Sequence, residues 1–218
     1  MLYKGKSIFG FGISKSRNRL SYQDVSKCYL QLYDQVNDLH MINANVYVDT
    51  CTLLSESGLD LLKAFQSLFS STNHKLLITS AVLLELEKVG NRDPNKAEKV
   101  SAILDYIGYM EANNTLYIVY TPTSFNDSAL VSRFVIELQN NNIILITNDI
   151  ALADTASCLS EFLNQHCAIN TNGHTVTAYK LCNSELIIIK KKERNDLYVQ
   201  QLQKQQLFSV TPRFHFAG

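Results

Sequence analysis

The sequence predicts an α/β protein of three layers, in which helices cover both faces of a central, mainly parallel sheet. The chain has 218 residues, of which 46% are apolar, and such a chain can bury one sizeable core. Short apolar segments of strand length alternate with helical patterns of ten or more residues, as in right-handed βαβ crossovers. The composition excludes a disordered chain, and no apolar run approaches the roughly 20 residues of a membrane-spanning helix.

The elements follow from apolar runs and their periodicity. Four strands are predicted at 45–49, 75–79, 116–120 and 143–147. Helices are predicted between and after them, at 59–69, 80–89, 94–113, 127–140 and from Asp149 onward. Gly90 is expected to end the second of these helices, and Asp93 to cap the next one at Pro94. Residues 175–181 and 185–189 are expected to add a strand or hairpin at the edge of the sheet.

The chain divides into three predicted parts. Residues 1–43 form an N-terminal extension, in which a helical apolar stripe over 22–39 is expected to pack on the core. Residues 44–190 form the α/β domain, and residues 191–218 form a basic, Gln-rich tail. The N-terminus has no apolar run typical of a secretory signal, so a cytoplasmic protein with reduced cysteines is expected, without a membrane partner.

The net charge of zero conceals an uneven distribution. Residues 1–43 sum to +3, residues 44–179 to −7 and residues 180–218 to +4. An acidic centre with basic flanks fits a cleft that binds cations and arms that contact phosphates. The residues expected to border the cleft and bind phosphate are Lys190, Lys191, Lys192, Arg17 and Arg19.

Acidic residues stand where a parallel sheet binds its ligands, at the carboxyl ends of strands. Asp49 ends the first predicted strand, and Asp149 follows the fourth. Asp127 begins the helix before that strand, and its spacing predicts a position on the core side. Glu85 lies in the apolar stripe of another helix, where a carboxylate is costly unless it is paired or binds a metal.

If these four acids converge on one cleft, they repel one another, and a divalent cation relieves the repulsion. A site of carboxylate oxygens without His or Cys favours Mg²⁺ or Mn²⁺ over zinc.

The segments around these acids carry a resemblance to a known family. VYVDTCTLL, LLITSAVLLELEKV, FNDSALVSRFVIEL and NNIILITNDIALADTA resemble the four acidic motifs of the PIN-domain metal-dependent ribonucleases, in the family's order. The resemblance covers about residues 44–165. It implies metal-binding, catalytic acids at Asp49, Glu85, Asp127 and Asp149, with Thr147 and Asn148 shaping the site.

The resemblance leaves the second motif open, because many members have two successive acids there. Here Leu84 precedes Glu85, and Glu87 follows two residues later; Glu85 is the preferred ligand. Asp154 stands near the place of an additional ligand in some members. The family further implies endonucleolytic hydrolysis of RNA, a homodimer, and in some members an antitoxin or other regulatory protein as partner.

Other interpretations remain open beside this one. Each acid alone could cap a helix: Ser124 and Asp127 fit a capping box, and Asp149 suits a helix start. A degenerate module that binds RNA or a protein without catalysis is the alternative function. A phosphatase of the haloacid-dehalogenase kind also begins with an Asp at the end of its first strand. It needs a second acid two residues later, where this chain has Cys51.

Overall fold

The computed structural model describes residues 31–39, 44–122 and 125–189. The strands are β1 (Ala44–Val48), β2 (Leu76–Thr79), β3 (Leu116–Val119), β4 (Asn142–Ile146), β5 (Val176–Cys182) and β6 (Glu185–Ile188). The helices are α1 (31–39), α2 (Thr50–Leu53), α3 (Gly58–Phe69), α4 (Ser80–Arg92), α5 (Pro94–Ala112), α6 (Asn126–Glu137) and α7 (Ile150–His166).

The strands form one sheet in the order β3-β2-β1-β4-β5-β6. All neighbouring pairs are parallel except the hairpin of β5 and β6. The predicted α/β class and edge hairpin are therefore confirmed. The strand order reverses between β1 and β4, because β2 lies on one side of β1 and β4 on the other. Such a reversal opens a crevice at the carboxyl ends of the two strands.

Two apolar cores, one on each face of the sheet, explain why the strands alternate in their packing. Helices α1, α3, α4 and α5 pack on one face, against β1 side chains such as Val46 and Val48. Helices α6 and α7 pack on the other face, against Tyr47 of the same strand. Side chains of consecutive strand residues point to opposite faces, so β1 contributes to both cores.

The described part of α1 packs on the sheet, as its stripe predicts, through the buried side chains of Leu32, Val36 and Leu39. Gln35 of this helix binds the edge strand β6. Its side-chain amide accepts a hydrogen bond from the Leu186 N–H at 2.7 Å and donates one to the Leu186 carbonyl at 3.4 Å. The amide thus satisfies backbone groups that an edge strand would otherwise expose.

Two sequence-based expectations are wrong in detail. Gly90 does not end α4, which continues to Arg92 and is followed by the cap Asp93. A Cβ atom on Gly90 would approach Val100 Cγ1 to 3.0 Å, so the glycine allows α4 and α5 to pack closely. Asp127 does not face the core either: it is exposed, whereas its neighbour Asn126, the first residue of α6, is buried.

A buried polar cluster ties β1 to the end of α6. Glu137 is 6% exposed, and its Oε1 accepts hydrogen bonds from the Tyr47 hydroxyl and from Arg133 Nε, both at 2.6 Å. Its Oε2 accepts a hydrogen bond from Asn45 Nδ2 at 2.9 Å. Burial and the neighbouring Glu137 carboxylate raise the pKa of Tyr47, so its hydroxyl remains a donor.

We expect Glu137→Gln to lower the free energy of unfolding by about 1–3 kcal/mol, because a Gln turned toward Tyr47 presents its own N–H groups to the Asn45 amide. Denaturant unfolding monitored by circular dichroism measures the loss. Glu98→Gln, on the exposed side of α5, serves as the control and should change the free energy little. Equal stability of the two variants would show that the cluster contributes nothing.

Candidate acidic site at the carboxyl edge of the sheet

Asp49 lies at the centre of the site, directly after β1 and beside β4. Its N–H donates to the Ile146 carbonyl at 3.0 Å, which continues the pairing of the two strands by one residue. The residue is 3% exposed. A buried carboxylate is costly unless hydrogen bonds replace its lost water.

Four donors satisfy Asp49. Its Oδ1 accepts hydrogen bonds from the Thr50 N–H at 2.7 Å and from Asn126 Nδ2. Its Oδ2 accepts from Cys51 Sγ at 2.7 Å and from the Thr147 hydroxyl at 2.9 Å. A carboxylate has about four lone-pair sites, so the donors occupy all of them. A cation that bound Asp49 directly would need one of the mobile donors, Cys51 or Asn126, to turn away.

The thiol of Cys51 is a donor, and a soft metal ligand would have to be the thiolate. Burial, followed by the charge of Asp49, raises the pKa of Cys51 to about 11. The group therefore stays protonated at neutral pH, in agreement with a site built from hard oxygen ligands.

Glu85 joins the site from the second turn of α4. Its Oε2 accepts a hydrogen bond from the Thr50 hydroxyl at 2.6 Å, one residue from Asp49. Glu87, the alternative ligand, is exposed on another side of the helix. The structure therefore brings Glu85 to the acidic residues.

Asp149 caps α7 at the end of β4. Its Oδ1 accepts hydrogen bonds from the Ala151 N–H at 2.8 Å and the Leu152 N–H at 3.0 Å, as the capping interpretation predicts. Its own N–H donates to the Thr147 hydroxyl at 3.0 Å, so Thr147 joins Asp49 to Asp149. Both caps are on Oδ1, and Oδ2 accepts no hydrogen bond from the described part of the chain.

Asp127 completes the group. It is the second residue of α6, whose cap is Phe125; Ser124, the other residue of the capping-box interpretation, lies outside the described residues. Although the residue is exposed, neighbouring protein atoms shield its carboxyl group and raise its pKa. The charges of Asp49, Asp149 and Glu85 raise that pKa further. Three acids from three other segments thus lie within electrostatic range of Asp127.

Asn126 and Thr50 belong to the site although sequence reasoning missed them. Asn126 is 7% exposed; besides its bond to Asp49, its Oδ1 accepts a hydrogen bond from the Thr79 hydroxyl at 3.3 Å. Both could have been found from the sequence, because each stands directly beside a predicted acidic ligand: Thr50 follows Asp49, and Asn126 precedes Asp127.

The remaining predicted residues occupy other positions. Asn148 does not turn to the acids; its Oδ1 accepts a hydrogen bond from the Leu181 N–H at 3.0 Å and fixes β5. Asp154 is half-buried in the second turn of α7. Arg17, Arg19, Lys190, Lys191 and Lys192 lie outside the described residues, so their place beside the cleft stays a prediction.

Carboxylate oxygens are the kind of ligand that a hard divalent cation prefers, but the acidic side chains are not close enough together to surround one ion. Among residues 31–39, 44–122 and 125–189, no three His, Cys, Asp or Glu side chains are grouped closely enough to hold one ion. Asp149 Oδ2, Glu85 Oε1 and both oxygens of Asp127 accept no hydrogen bond within these ranges.

Comparison with solved structures shows likenesses that comparison of sequences does not. No family model matches the chain, and no curated protein matches it in sequence. Among solved structures, the chain is similar to the PIN domain endonuclease Utp24, with a TM-score of 0.43 and 14% identity. The likeness covers 70% of this chain and 96% of that one. Within the described segments, no helix is long and apolar enough to cross a membrane.

We expect Asp127→Asn to stabilise the protein at pH 7, because it removes a carboxylate that three others repel. A raised pKa means that the protonated form is favoured in the folded state. The gain should therefore be absent well below the ordinary value of 3.8, where Asp127 is protonated in both states, and should grow as the pH rises through that value. Urea unfolding between pH 3 and 7 measures it, with Asp105→Asn on α5 as the charge-matched control. A gain independent of pH would contradict the electrostatic cause.

Asn126→Asp should have the opposite effect. It replaces the amide that donates to Asp49 by a fifth carboxylate, and the loss at pH 7 should be about 1–3 kcal/mol. The same unfolding measurement, with Asn126→Ala beside it, separates repulsion from the loss of the hydrogen bond. If Asn126→Asp and Asn126→Ala lower the free energy of unfolding equally, then Asn126 does not act by relieving charge repulsion.

Proposed function

We propose that the protein is a metal-dependent endoribonuclease that hydrolyses RNA phosphodiester bonds at the acidic site. The observation that supports this most is that Asp49, Glu85, Asp127 and Asp149 come from four separate segments to one edge of the sheet. Burial raises the pKa of Asp127, and the charges of Asp49, Asp149 and Glu85 raise it further. Helix capping explains Asp49 and Asp149 singly, but it does not require four acids from separate segments to share one edge of the sheet. The resemblance of the four acidic segments to PIN-domain ribonucleases supports RNA as the substrate.

In this proposal Asp49 and Asp149 would hold the principal Mg²⁺ or Mn²⁺ ion, once a donor to Asp49 has turned away, and Glu85 and Asp127 would complete a second site or orient the attacking water. A bound ion of this kind lowers the pKa of water and polarises the phosphoryl group. The chain's own residues position the acids. Thr147 holds Asp49 and Asp149 in register, while Thr50 fixes Glu85. Asp127 accepts no hydrogen bond from the described residues, so its carboxylate is available to a water molecule.

The proposal is tested by incubating end-labelled RNA and single-stranded DNA with Mg²⁺, with Mn²⁺ and with chelator. We expect RNA cleavage that requires the metal and falls on the order of 10²–10³-fold in Asp49→Asn and in Asp149→Asn, the usual cost of losing one preorganised electrostatic contact. Asp105→Asn should cleave normally. Far-UV circular dichroism checks that the variants fold.

The outcomes separate the candidate functions. Cleavage that survives both site variants would contradict the site assignment. RNA binding without cleavage under every metal condition would favour the degenerate module.

A further inference from the structure

The acids alone do not explain how a strand of RNA is held at the site. Carboxylates repel phosphate groups, and the side chains that most often bind phosphates are those of Lys and Arg. Lys88 and Arg92 are two such residues on α4, the helix that carries Glu85. Both side chains are exposed, and we call them the α4 basic pair.

The α4 basic pair lies on the same side of the helix as Glu85. Residues three or four positions apart are neighbours on a helix surface; Lys88 follows Glu85 by three positions, and Arg92 follows Lys88 by four. Along the helix axis, Lys88 is about 4.5 Å and Arg92 about 10.5 Å beyond Glu85. Because Glu85 accepts a hydrogen bond from Thr50 at the acidic site, the pair continues a line that begins at that site.

The end of α4 lies at the same edge of the sheet as the acids. Gly90 of α4 packs against Val100 of α5. Lys99, the residue before Val100, donates hydrogen bonds at 2.9 and 2.7 Å to the carbonyls of the two residues that follow α2. Helix α2 begins directly after Asp49 and has four residues. These contacts place the pair near the carboxyl ends of the strands.

The two positive charges are not neutralised within the described part of the chain. Neither Lys88 nor Arg92 forms a hydrogen bond or an ion pair there. The neighbouring acid Glu87 is turned about 100° from Lys88 and about 140° from Arg92 around the helix. Asp93, which follows Arg92, pairs with Lys96 at 3.5 Å. The charges of the pair are therefore available to an anion.

Helix stability explains only part of this arrangement. A cation in the last turn favours the helix dipole, which accounts for Arg92. Lys88 precedes that turn, and it does not pair with Glu85, whose carboxylate binds Thr50 instead. The two cations are about 6 Å apart along the axis, close to the spacing of neighbouring phosphates in an extended strand.

We propose that the α4 basic pair binds neighbouring phosphate groups of the RNA strand whose scissile phosphate lies at the acidic site. The strand then runs along α4, from the acids past Lys88 to Arg92. The placement of the scissile phosphate rests on the proposed nuclease function. The binding of phosphates does not, because the pair needs neither the metal nor the reaction.

A short oligouridylate with a fluorescein label is the probe. It is titrated with the full-length protein in chelator, and fluorescence anisotropy gives the dissociation constant over a series of salt concentrations. Each phosphate contact on a single strand contributes about 0.7 to the slope of log K against log salt. We expect the double variant Lys88→Gln/Arg92→Gln to lower the slope by about 1.4 and to raise the dissociation constant about tenfold at roughly 0.1 M salt.

The matched control is Lys63→Gln/Lys75→Gln, which removes the same charge elsewhere. Lys63 lies on α3 and pairs with Asp60, and Lys75 stands before β2, at the opposite edge of the sheet. This variant should leave the slope unchanged.

An unchanged slope in the pair variant, or an equal loss in the two double variants, would overturn the proposal, as would a protein that does not bind the oligouridylate. A polyglutamate peptide of equal charge that binds as tightly through the pair would also overturn it and assign the surface to an acidic protein. RNA binding that depends on the pair, in a protein that never cleaves RNA, would contradict the nuclease function alone. Metal-dependent cleavage with an unchanged slope would contradict the role of the pair alone.

Discussion

Repulsion of the Asp127 carboxylate by three others, those of Asp49, Asp149 and Glu85, is the constraint on which the site depends. The protein brings them together at the reversal of strand order between β1 and β4 and offsets part of the cost with donors. Asp49 takes four hydrogen bonds, whereas Asp127 takes none from the described residues. The buried acid is thus satisfied by donors, whereas the exposed one faces the other charges without a hydrogen bond from the described residues. A cation at this edge would offset the repulsion of Asp127.

The fold supports this arrangement from both ends of α6. At its start, Asn126 donates to Asp49, and at its end Glu137 accepts hydrogen bonds from Tyr47 and Asn45 of β1. Helix α7 is fixed in a similar way, because Asp149 caps it while Thr147 joins that acid to Asp49. Asp49 and Asp149 are therefore held by hydrogen bonds at the ends of strands and helices.

Much of the fold was predictable, because apolar periodicity is a local property of the sequence. The four parallel strands and the Asp93 cap lie within a residue or two of their predicted places. Gly90 was misjudged because its role is a contact with α5, which sequence spacing does not reveal. The acids could be listed from strand ends and an apolar stripe, but the four hydrogen bonds of Asp49 could not, since two of the donors, Asn126 and Thr147, are distant in the sequence. Asp127 shares its spacing with the buried Val131 and Phe134, yet Asn126 is the residue that is buried at the start of α6.

Diffraction from a crystal soaked in Mn²⁺, recorded at the manganese absorption edge, tests the central claim most directly. The account predicts an anomalous peak at the carboxyl ends of β1 and β4, with oxygens of Asp149 and at least one of Asp49, Glu85 and Asp127 at roughly 2.1 Å, the distance typical of small hard cations. If Asp49 ligates the ion, the Cys51 thiol or the Asn126 amide should have turned away from it. A protein that leaves this edge without a peak at millimolar Mn²⁺, or binds the ion elsewhere, would contradict the account.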